Sequence, residues 1–442
     1  MIKFYNTLTH KIEEFKPFKG RDIKIYACGP TVYSLDHLGH GRVGVFYDVV
    51  RRYFLYLGYK VKFVQNITDV GHLTEDEEPQ DKIIKIAKEE GKSPFEIARY
   101  FEKKHFVSMK WLNVMPPDFS PRASLYVDKM IKAIKILLKR NFAYETKTGI
   151  YFDITKIKDY GKLSKRDIKD QLKGVRIDIK EDKKNFWDFA LWIKAPKEHL
   201  LKWQSPWGKG YPGWHIECTT MIYEILGFPL DIHGGGNDLI FPHHENERAQ
   251  GIGIFGEEPV RYYLHLGQVK IGGKKMSKSS GNFITLEELQ NKFNGDIIRL
   301  LLLSTNYSKP LDFSENKIKS AEKLFYRLKD AQKKASSVGE NKKVMSEIKK
   351  AIDYNFNFSK AFSLWDENRQ KLTKNDFKTL KNIFGLVFEE EKIDSKILFL
   401  ANEREKARRQ KNFKKADKLR KEIEKRGYLI EDRKEGFNLR KK

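Results

Sequence analysis

Ile23-Lys24-Ile25-Tyr26-Ala27-Cys28-Gly29-Pro30 is a short apolar run that breaks into turn residues, and the fold class is read outward from it. It is the pattern of a strand that ends in a loop. Between Gly41 and Tyr56 the apolar residues Val43, Val45, Phe46, Val49, Val50, Phe54 and Leu55 recur at helical spacing, and Gly58 follows as a stop. Val61-Lys62-Phe63-Val64 is a second apolar run, before Asn66. Strand, loop, helix, strand is the βαβ unit of a parallel sheet, whose ligands sit at the carboxyl ends of the strands.

Further along, helical periodicity from Met130 to Leu138 gives way to Tyr151-Phe152-Asp153, then to a highly charged stretch around Lys162 to Lys184 and the aromatic-rich segment Asn185 to Trp192. This reads as an insertion. A second α/β portion begins near Gly213 and contains Leu230-Asp231-Ile232-His233, a strand running into Gly234-Gly235-Gly236. From Asp312 the pattern is helical, with Ile318, Ala321, Leu324, Leu328, Ala331 and Ala335 stepping by three or four and an expected end at Val338-Gly339. The expected organisation is α/β: a Rossmann-like parallel-sheet domain in two halves, residues 1–119 and 213–270, split by an insertion over 120–212. A connecting region (271–311), a helical bundle (312–390) and a small basic C-terminal module (391–442) follow.

Composition narrows the function classes. A chain of 442 residues exceeds a single core, and two cysteines, Cys28 and Cys218, exclude a disulfide scaffold. With 40% apolar residues the chain is too hydrophobic to be disordered, and it has no apolar run long enough to span a bilayer. A cytoplasmic protein is expected. Lys plus Arg outnumber Asp plus Glu by 86 to 60, a formal charge of +26, which points to a polyanionic partner, nucleic acid first. Residues 401–442 carry 17 basic against 8 acidic side chains and read as two basic helices, then Gly427, then a hairpin around Lys434-Glu435-Gly436. A solvated helical surface would give the same pattern.

Three constellations carry chemistry. His37-Leu38-Gly39-His40 lies in the loop before the Gly41 helix, where free backbone N–H groups and the helix dipole suit a phosphate. Gly39 would let adenine approach the backbone, and two imidazoles could donate to phosphate oxygens as charge develops. Lys275-Met276-Ser277-Lys278-Ser279, with glycines on both sides, reads as a closing loop whose two ammonium groups reach phosphates. Cys28, Cys218, His243 and Glu247 form a candidate metal quartet. Pro242 suits a helix start, and His243 and Glu247 at i, i+4 would share its face. Two inert core thiols and an ordinary helix cap explain the same residues without a metal.

Paired H-x-G-H and K-M-S-K-S motifs about 240 residues apart in an interrupted α/β chain resemble class I aminoacyl-tRNA synthetases. Tyr26-Ala27-Cys28-Gly29-Pro30-Thr31-Val32-Tyr33, Gln65-Asn66-Ile67-Thr68-Asp69, Gly213-Trp214-His215-Ile216-Glu217-Cys218 and Asp231-Ile232-His233-Gly234-Gly235-Gly236 are similar to cysteinyl-tRNA synthetases. So are residues 241–247, Asp353-Tyr354-Asn355-Phe356-Asn357 and the basic tail, so the likeness spans almost the whole chain. The resemblance implies one zinc ion held by Cys28, Cys218, His243 and Glu247, with the substrate cysteine bound as a thiolate. It implies ATP with Mg2+, phosphates between His37, His40, Lys275 and Lys278, adenosine near Gly39, Gly236 and Asp238, and an amino-acid pocket of Gly29, Thr68 and Trp214. It further implies tRNA(Cys) as partner, with 271–311 and 312–390 touching tRNA and 391–442 reading the anticodon, no membrane, and a monomer or dimer, the monomer favoured. Thr68-Asp69-Val70-Gly71-His72 departs from the T-D-I-D-D form of the family. Two other readings are a ligase joining cysteine to an aminosugar, which needs no basic tail, and a non-catalytic RNA-binding paralogue.

Overall fold

A computed structural model describes the chain except residues 71–81, 167–182, 198, 277–282, 336–337, 389–393, 433–435 and 442. The acidic segment 75–81, residues 71–74 after Thr68, most of the charged stretch 162–184, and the Ser277-Lys278-Ser279 part of the basic loop lie outside the described residues. Two compact units emerge, Met1–Val387 and Phe388–Lys442.

In the first unit an N-terminal hairpin, β1 (Lys3–Asn6) and β2 (Lys11–Glu14), precedes β3 (Asp22–Ala27), α1 (Leu38–Tyr56) and β4 (Lys60–Gln65). This is the expected βαβ unit, with β3 and β4 parallel from Asp22↔Lys60 to Ala27↔Gln65. The helix starts earlier than Gly41. His37 takes an extended N-cap conformation and its Nδ1 accepts the Gly39 N–H at 2.9 Å, which draws Leu38, Gly39 and His40 into the first turn.

Helices α2 (Lys82–Glu90), α3 (Pro94–Trp111) and α4 (Val127–Lys139) follow, then a four-stranded antiparallel sheet of β5 (Ala143–Glu145), β6 (Gly149–Phe152), β7 (Phe189–Lys194) and β8 (Gly210–Pro212). The chain then re-enters the parallel sheet through α5 (Trp214–Ile225), β9 (Leu230–Gly236), α6 (Glu245–Phe255) and β10 (Val260–Leu266). Strand order is β10-β9-β3-β4, every pair parallel. The order reverses between β3 and β9, so the crevice beyond their carboxyl ends is the expected ligand position. The inserted sheet shares one core with this framework: Phe152, Leu191 and Trp192 are buried with Tyr26, Val64, Met130, Ile134, Met221 and Tyr263.

Two local expectations need correction. The glycines 234–236 continue β9 rather than ending it, because they pair in parallel with Leu264, His265 and Leu266 of β10, an approach so close that a Cβ on Gly234 would fall 1.9 Å from Leu264 O. The helix after Pro242 begins only at Glu245. Phe241 has extended backbone (φ −137°, ψ 132°) and Ile240–His244 form a separate wide turn, so His243 precedes the regular helix yet still faces Glu247.

Beyond β11 (Val269–Ile271) and β12 (Lys274–Lys275), which form a small sheet with β13 (Leu311–Phe313), come α7 (Leu286–Gln290) and α8 (Gly295–Leu303). Four longer helices follow: α9 (Glu315–Lys334), α10 (Lys342–Asp353), α11 (Phe358–Asn368) and α12 (Lys374–Phe384). α9 stops four residues short of Val338, capped at Ala335 where the apolar stepping runs out. The second unit contains the two basic helices, α13 (Ser395–Arg409) and α14 (Phe413–Lys425), and an antiparallel hairpin of β14 (Tyr428–Asp432) and β15 (Phe437–Lys441). Its own small core comprises Ile397, Ala401, Ile423, Tyr428, Ile430 and Leu439.

Helix α1 is tied down by buried charge. Arg42 donates to the carbonyls of Gly267, Gln268, Asn306 and Lys309. Asp48 pairs with Arg299 at 2.6 Å, both side chains fully buried, while Arg299 also donates to Leu112 O and Phe384 O. Removing one member of such a network leaves the other charge buried and two carbonyls without their donor. Arg299→Met is expected to cost about 3–5 kcal/mol in chemical denaturation followed by tryptophan fluorescence; an unchanged midpoint would contradict the structural role of this pair.

Candidate active site

The crevice at the carboxyl ends of β3 and β9 is a cavity of about 280 Å³. Cys28, Gly29, His37, Gly39, His40, Thr68, Trp214, Cys218, Gly236, Asp238 and His243 all line it. Met276 lines it too, so the start of the basic loop reaches its edge. Lys275 ends β12, and its side chain is not among the described groups; Lys278 lies outside the described residues. Glu247 stands behind His243 and is 3% exposed.

Each residue is held by local structure. Gly29 follows β3, where its N–H donates to Asn66 Oδ1 at 2.9 Å and Asn66 Nδ2 donates to Thr68 Oγ1 at 3.0 Å. A Cβ on Gly29 would lie 1.7 Å from Asn66 O, so only glycine permits this close approach. Trp214 opens α5 and Cys218 follows one turn later on the same face. The Trp214 ring stacks on His243, centroids 4.4 Å apart. At the start of α1 the His37 and His40 rings stack at 3.9 Å.

The candidate metal ligands converge although Cys28 and Cys218 are 190 positions apart. Cys28 Sγ is 3.9 Å from Cys218 Sγ and 3.7 Å from Glu247 Oε1, and His243 Nε2 is 2.6 Å from Glu247 Oε1. Tetrahedral zinc with bonds near 2.0–2.3 Å spaces its ligands about 3.3–3.8 Å apart; the sulfur distances lie close to that range, the His243–Glu247 contact is shorter, and sulfur, nitrogen and oxygen donors suit that ion. A second set, Cys28, His233, His244 and Glu247, also lies within ligand distance. It is the poorer fit. Both ring nitrogens of His233 already face acceptors, Tyr26 O at 3.0 Å and Glu247 Oε2 at 2.8 Å, and of this set only Cys28 lines the cavity.

Charge in this cluster is finely divided. Hydrogen bonding from Cys28 is the main reason the Cys218 thiol is lowered to about 6, whereas burial pushes the Cys28 thiol well above its ordinary value. Burial opposes a charged His243, but Glu247 and Cys218 raise it to about 10. Burial likewise opposes the Glu247 carboxylate, yet His243 and His233 hold it well below the usual range. At neutral pH the cluster therefore holds two anionic ligands, Cys218 and Glu247, while Cys28 and His243 each give up a proton when they bind a metal.

Sequence reasoning missed the histidines that support this cluster. His215 Nδ1 lies 2.9 Å from His243 Nδ1, and His244 Nε2 lies 3.1 Å from Cys28 Sγ. His244 Nδ1 in turn meets His265 Nε2 at 2.7 Å, and His265 Nδ1 meets Thr7 Oγ1 at 2.9 Å. Burial keeps His244 and His265 well below their ordinary values, so both rings are neutral. His215, His233 and His244 stand inside motifs quoted above, but only their burial around the quartet distinguishes them from other polar residues there.

Residues 14–323 match the family model described as the class I (C) tRNA synthetase catalytic domain, and residues 400–440 match the cysteinyl-tRNA ligase anticodon binding domain. A cysteine–tRNA ligase from Thermococcus gammatolerans is 41% identical over 98% of both chains. This chain belongs to the cysteine–tRNA ligase family. Another member, from Aquifex aeolicus, is 38% identical and covers 100% of this chain and 99% of its own. The methionyl-tRNA synthetase of Mycobacterium tuberculosis, solved with methionyl-adenylate, is 13% identical with a TM-score of 0.57, covering 83% of this chain and 82% of that one. That likeness concerns the fold: a class I synthetase architecture with a Rossmann-like catalytic domain, as the parallel sheet suggests. Among the described residues no helix is long and apolar enough to cross a membrane.

The divided charge has a direct readout. In metal-free protein the thiol pair should ionise in two separate steps, the first near pH 6 and the second well above 9, monitored by thiolate absorbance at 240 nm. Cys218→Ser should abolish the lower step. A single step near 9 in the unsubstituted chain would contradict the pairing of the two sulfurs.

Proposed function

We propose that this member of the family activates L-cysteine with ATP, forming cysteinyl-adenylate and pyrophosphate, and transfers the cysteinyl group to the 3′ end of tRNA(Cys). One observation carries the reading: the donor atoms of Cys28, Cys218, His243 and Glu247 converge within 4.8 Å of one another at the floor of the cavity that His37 and His40 line. A specific ligand for a thiol and a phosphate-binding helix start therefore face the same space.

Zinc held by Cys28, Cys218, His243 and Glu247 would supply a Lewis-acid position that favours the sulfur of cysteine as thiolate over a serine hydroxyl, a difference in kind where shape alone separates the two poorly. Around it the chain's own groups orient the substrates. Trp214, stacked on His243, and Thr68, held by Asn66, wall the amino-acid pocket beside Gly29. Gly39, Gly236 and Asp238 border the adenosine position. His37 and His40 stand at the amino terminus of α1, where N–H groups and imidazole donors meet the phosphates as the cysteine carboxylate attacks the α-phosphorus and pyrophosphate departs. Lys275 and Lys278 complete the charge around the leaving group, with Mg2+ on the ATP. Positioning and charge stabilisation supply most of the acceleration.

The connecting region, the four-helix bundle and the C-terminal unit are assigned to tRNA. The match over residues 400–440 supports the basic second unit as the anticodon-binding part, which disfavours both the aminosugar ligase and a reading without tRNA charging. The reading is of an enzyme working in the cytoplasm, with the monomer favoured.

Cysteine-dependent ATP–pyrophosphate exchange is the first test; no exchange, or equal exchange with serine, would refute activation and the role given to the metal. Cys218→Ser should lose bound zinc and activity together, and full zinc in that variant would refute the ligand set. A chain ending at Val387 should keep pyrophosphate exchange while tRNA charging falls by about 10²-fold or more, since the contacts it loses are phosphate and base contacts rather than chemistry.

A further inference from the structure

Asp36, which precedes the His37-Leu38-Gly39-His40 motif, is 4% exposed and has each carboxylate oxygen engaged by a different histidine. Oδ1 is 3.0 Å from His40 Nδ1, and Oδ2 is 2.7 Å from Nδ1 of His105, a buried residue of α3. The backbone joins the same junction: Leu286 N–H donates to Asp36 O at 2.8 Å, and His37 bridges Thr285, just beyond the basic loop. Lys104, next to His105, pairs with Glu287 at 2.7 Å.

The His37 N–H also approaches His40 Nδ1, but at 3.4 Å, and an ionised carboxylate at 3.0 Å is the stronger partner. Burial opposes the Asp36 charge, yet His105 and His40 hold its carboxyl below the usual range, so the carboxylate is ionised. Nδ1 of His40 therefore carries the proton, and Nε2 is the nitrogen left for a ligand in the cavity. With His105 on its second oxygen, the carboxylate cannot rotate away.

We propose that Asp36 and His105 are positioning residues for the activation step: Asp36 fixes the tautomer and orientation of His40 so that Nε2 addresses the ATP phosphates, and His105 locks Asp36. The proposal rests on the reading of His40 as a phosphate-facing group. It also makes α3, remote from both motifs in sequence, part of the activation machinery. The logic is that of a carboxylate orienting an imidazole whose far nitrogen meets the reacting group.

The test is steady-state ATP–pyrophosphate exchange on the zinc-loaded full chain. Asp36→Asn should lower kcat by about 10–100-fold with KM for ATP and cysteine within about twofold. His105→Leu should lower kcat by about 10-fold, while His105→Asn, which keeps a donor near the Nδ1 position, should restore most of it. Combining Asp36→Asn with His40→Ala should be no worse than His40→Ala alone. If His40→Ala leaves kcat unchanged, the reading of His40 fails; if His40→Ala is impaired but Asp36→Asn and His105→Leu are not, only the present proposal fails. Nitrogen-15 NMR of the His40 ring in the unsubstituted protein gives an answer independent of any variant's folding: protonation at Nδ1 is expected, and an Nε2–H tautomer would overturn the proposal.

Discussion

The parallel pairing of β3 with β9 is the constraint on which the rest depends. It sets Ile25 against Ile232, Tyr26 against His233 and Ala27 against Gly234, joining segments that lie about 200 residues apart in the chain. The pairing continues one step past β3, where Cys28 N–H donates to Gly234 O at 3.0 Å. Both strands thus reach the same crevice at the same level. Whatever follows β3 (Cys28, Gly29, then the start of α1) faces whatever follows β9 (Gly236, Asp238, then His243). Such a crevice is wet, lined by chain ends and open to backbone donors, which is why open parallel sheets place ligands there. Gly234 makes the register possible, since Leu264 O on β10 and the Tyr47 hydroxyl on α1 crowd the space a Cβ would need.

Around this crevice the molecule buries several polar groups, among them Cys28, Cys218, His233, His243, His244 and Glu247. A carboxylate, two thiols and several imidazoles inside a folded core are expensive unless each finds a partner or a metal. Here each histidine of the cluster is braced by another group: His233 by Tyr26 O and Glu247, His244 by His265, His265 by Thr7. The bracing fixes ring orientation before any ligand arrives, so little ordering remains for binding to supply. Asp36 does the same on the phosphate side. The two halves of the site are both preorganised, one by braced imidazole rings and the other by an ionised carboxylate.

Much of this was legible in the chain. The apolar run 23–27, the helical spacing after Gly41 and the run 61–64 are local patterns, and local patterns survive into the fold because each element's buried face is set by its own residues. Glycine positions carried information for the same reason: Gly29 and Gly39 stand where backbone must come close to another group. The departures were at boundaries. The helix at His37 begins three residues early because the histidine caps it, and the helix after Pro242 begins three residues late because Phe241 is extended. Both depend on side-chain and backbone geometry that apolar spacing does not report.

By itself the sequence determined the βαβ framework, the H-x-G-H and K-M-S-K-S motifs and the basic final module, because each is encoded within a few dozen consecutive residues. Only the tertiary structure decided which histidines matter and to whom they belong. His105 reaches Asp36 across 69 positions, His244 reaches Cys28 across 216, and two overlapping quartets contain Cys28 and Glu247. Proximity of that kind comes from how strands pair and helices pack, and no periodicity along the chain records it.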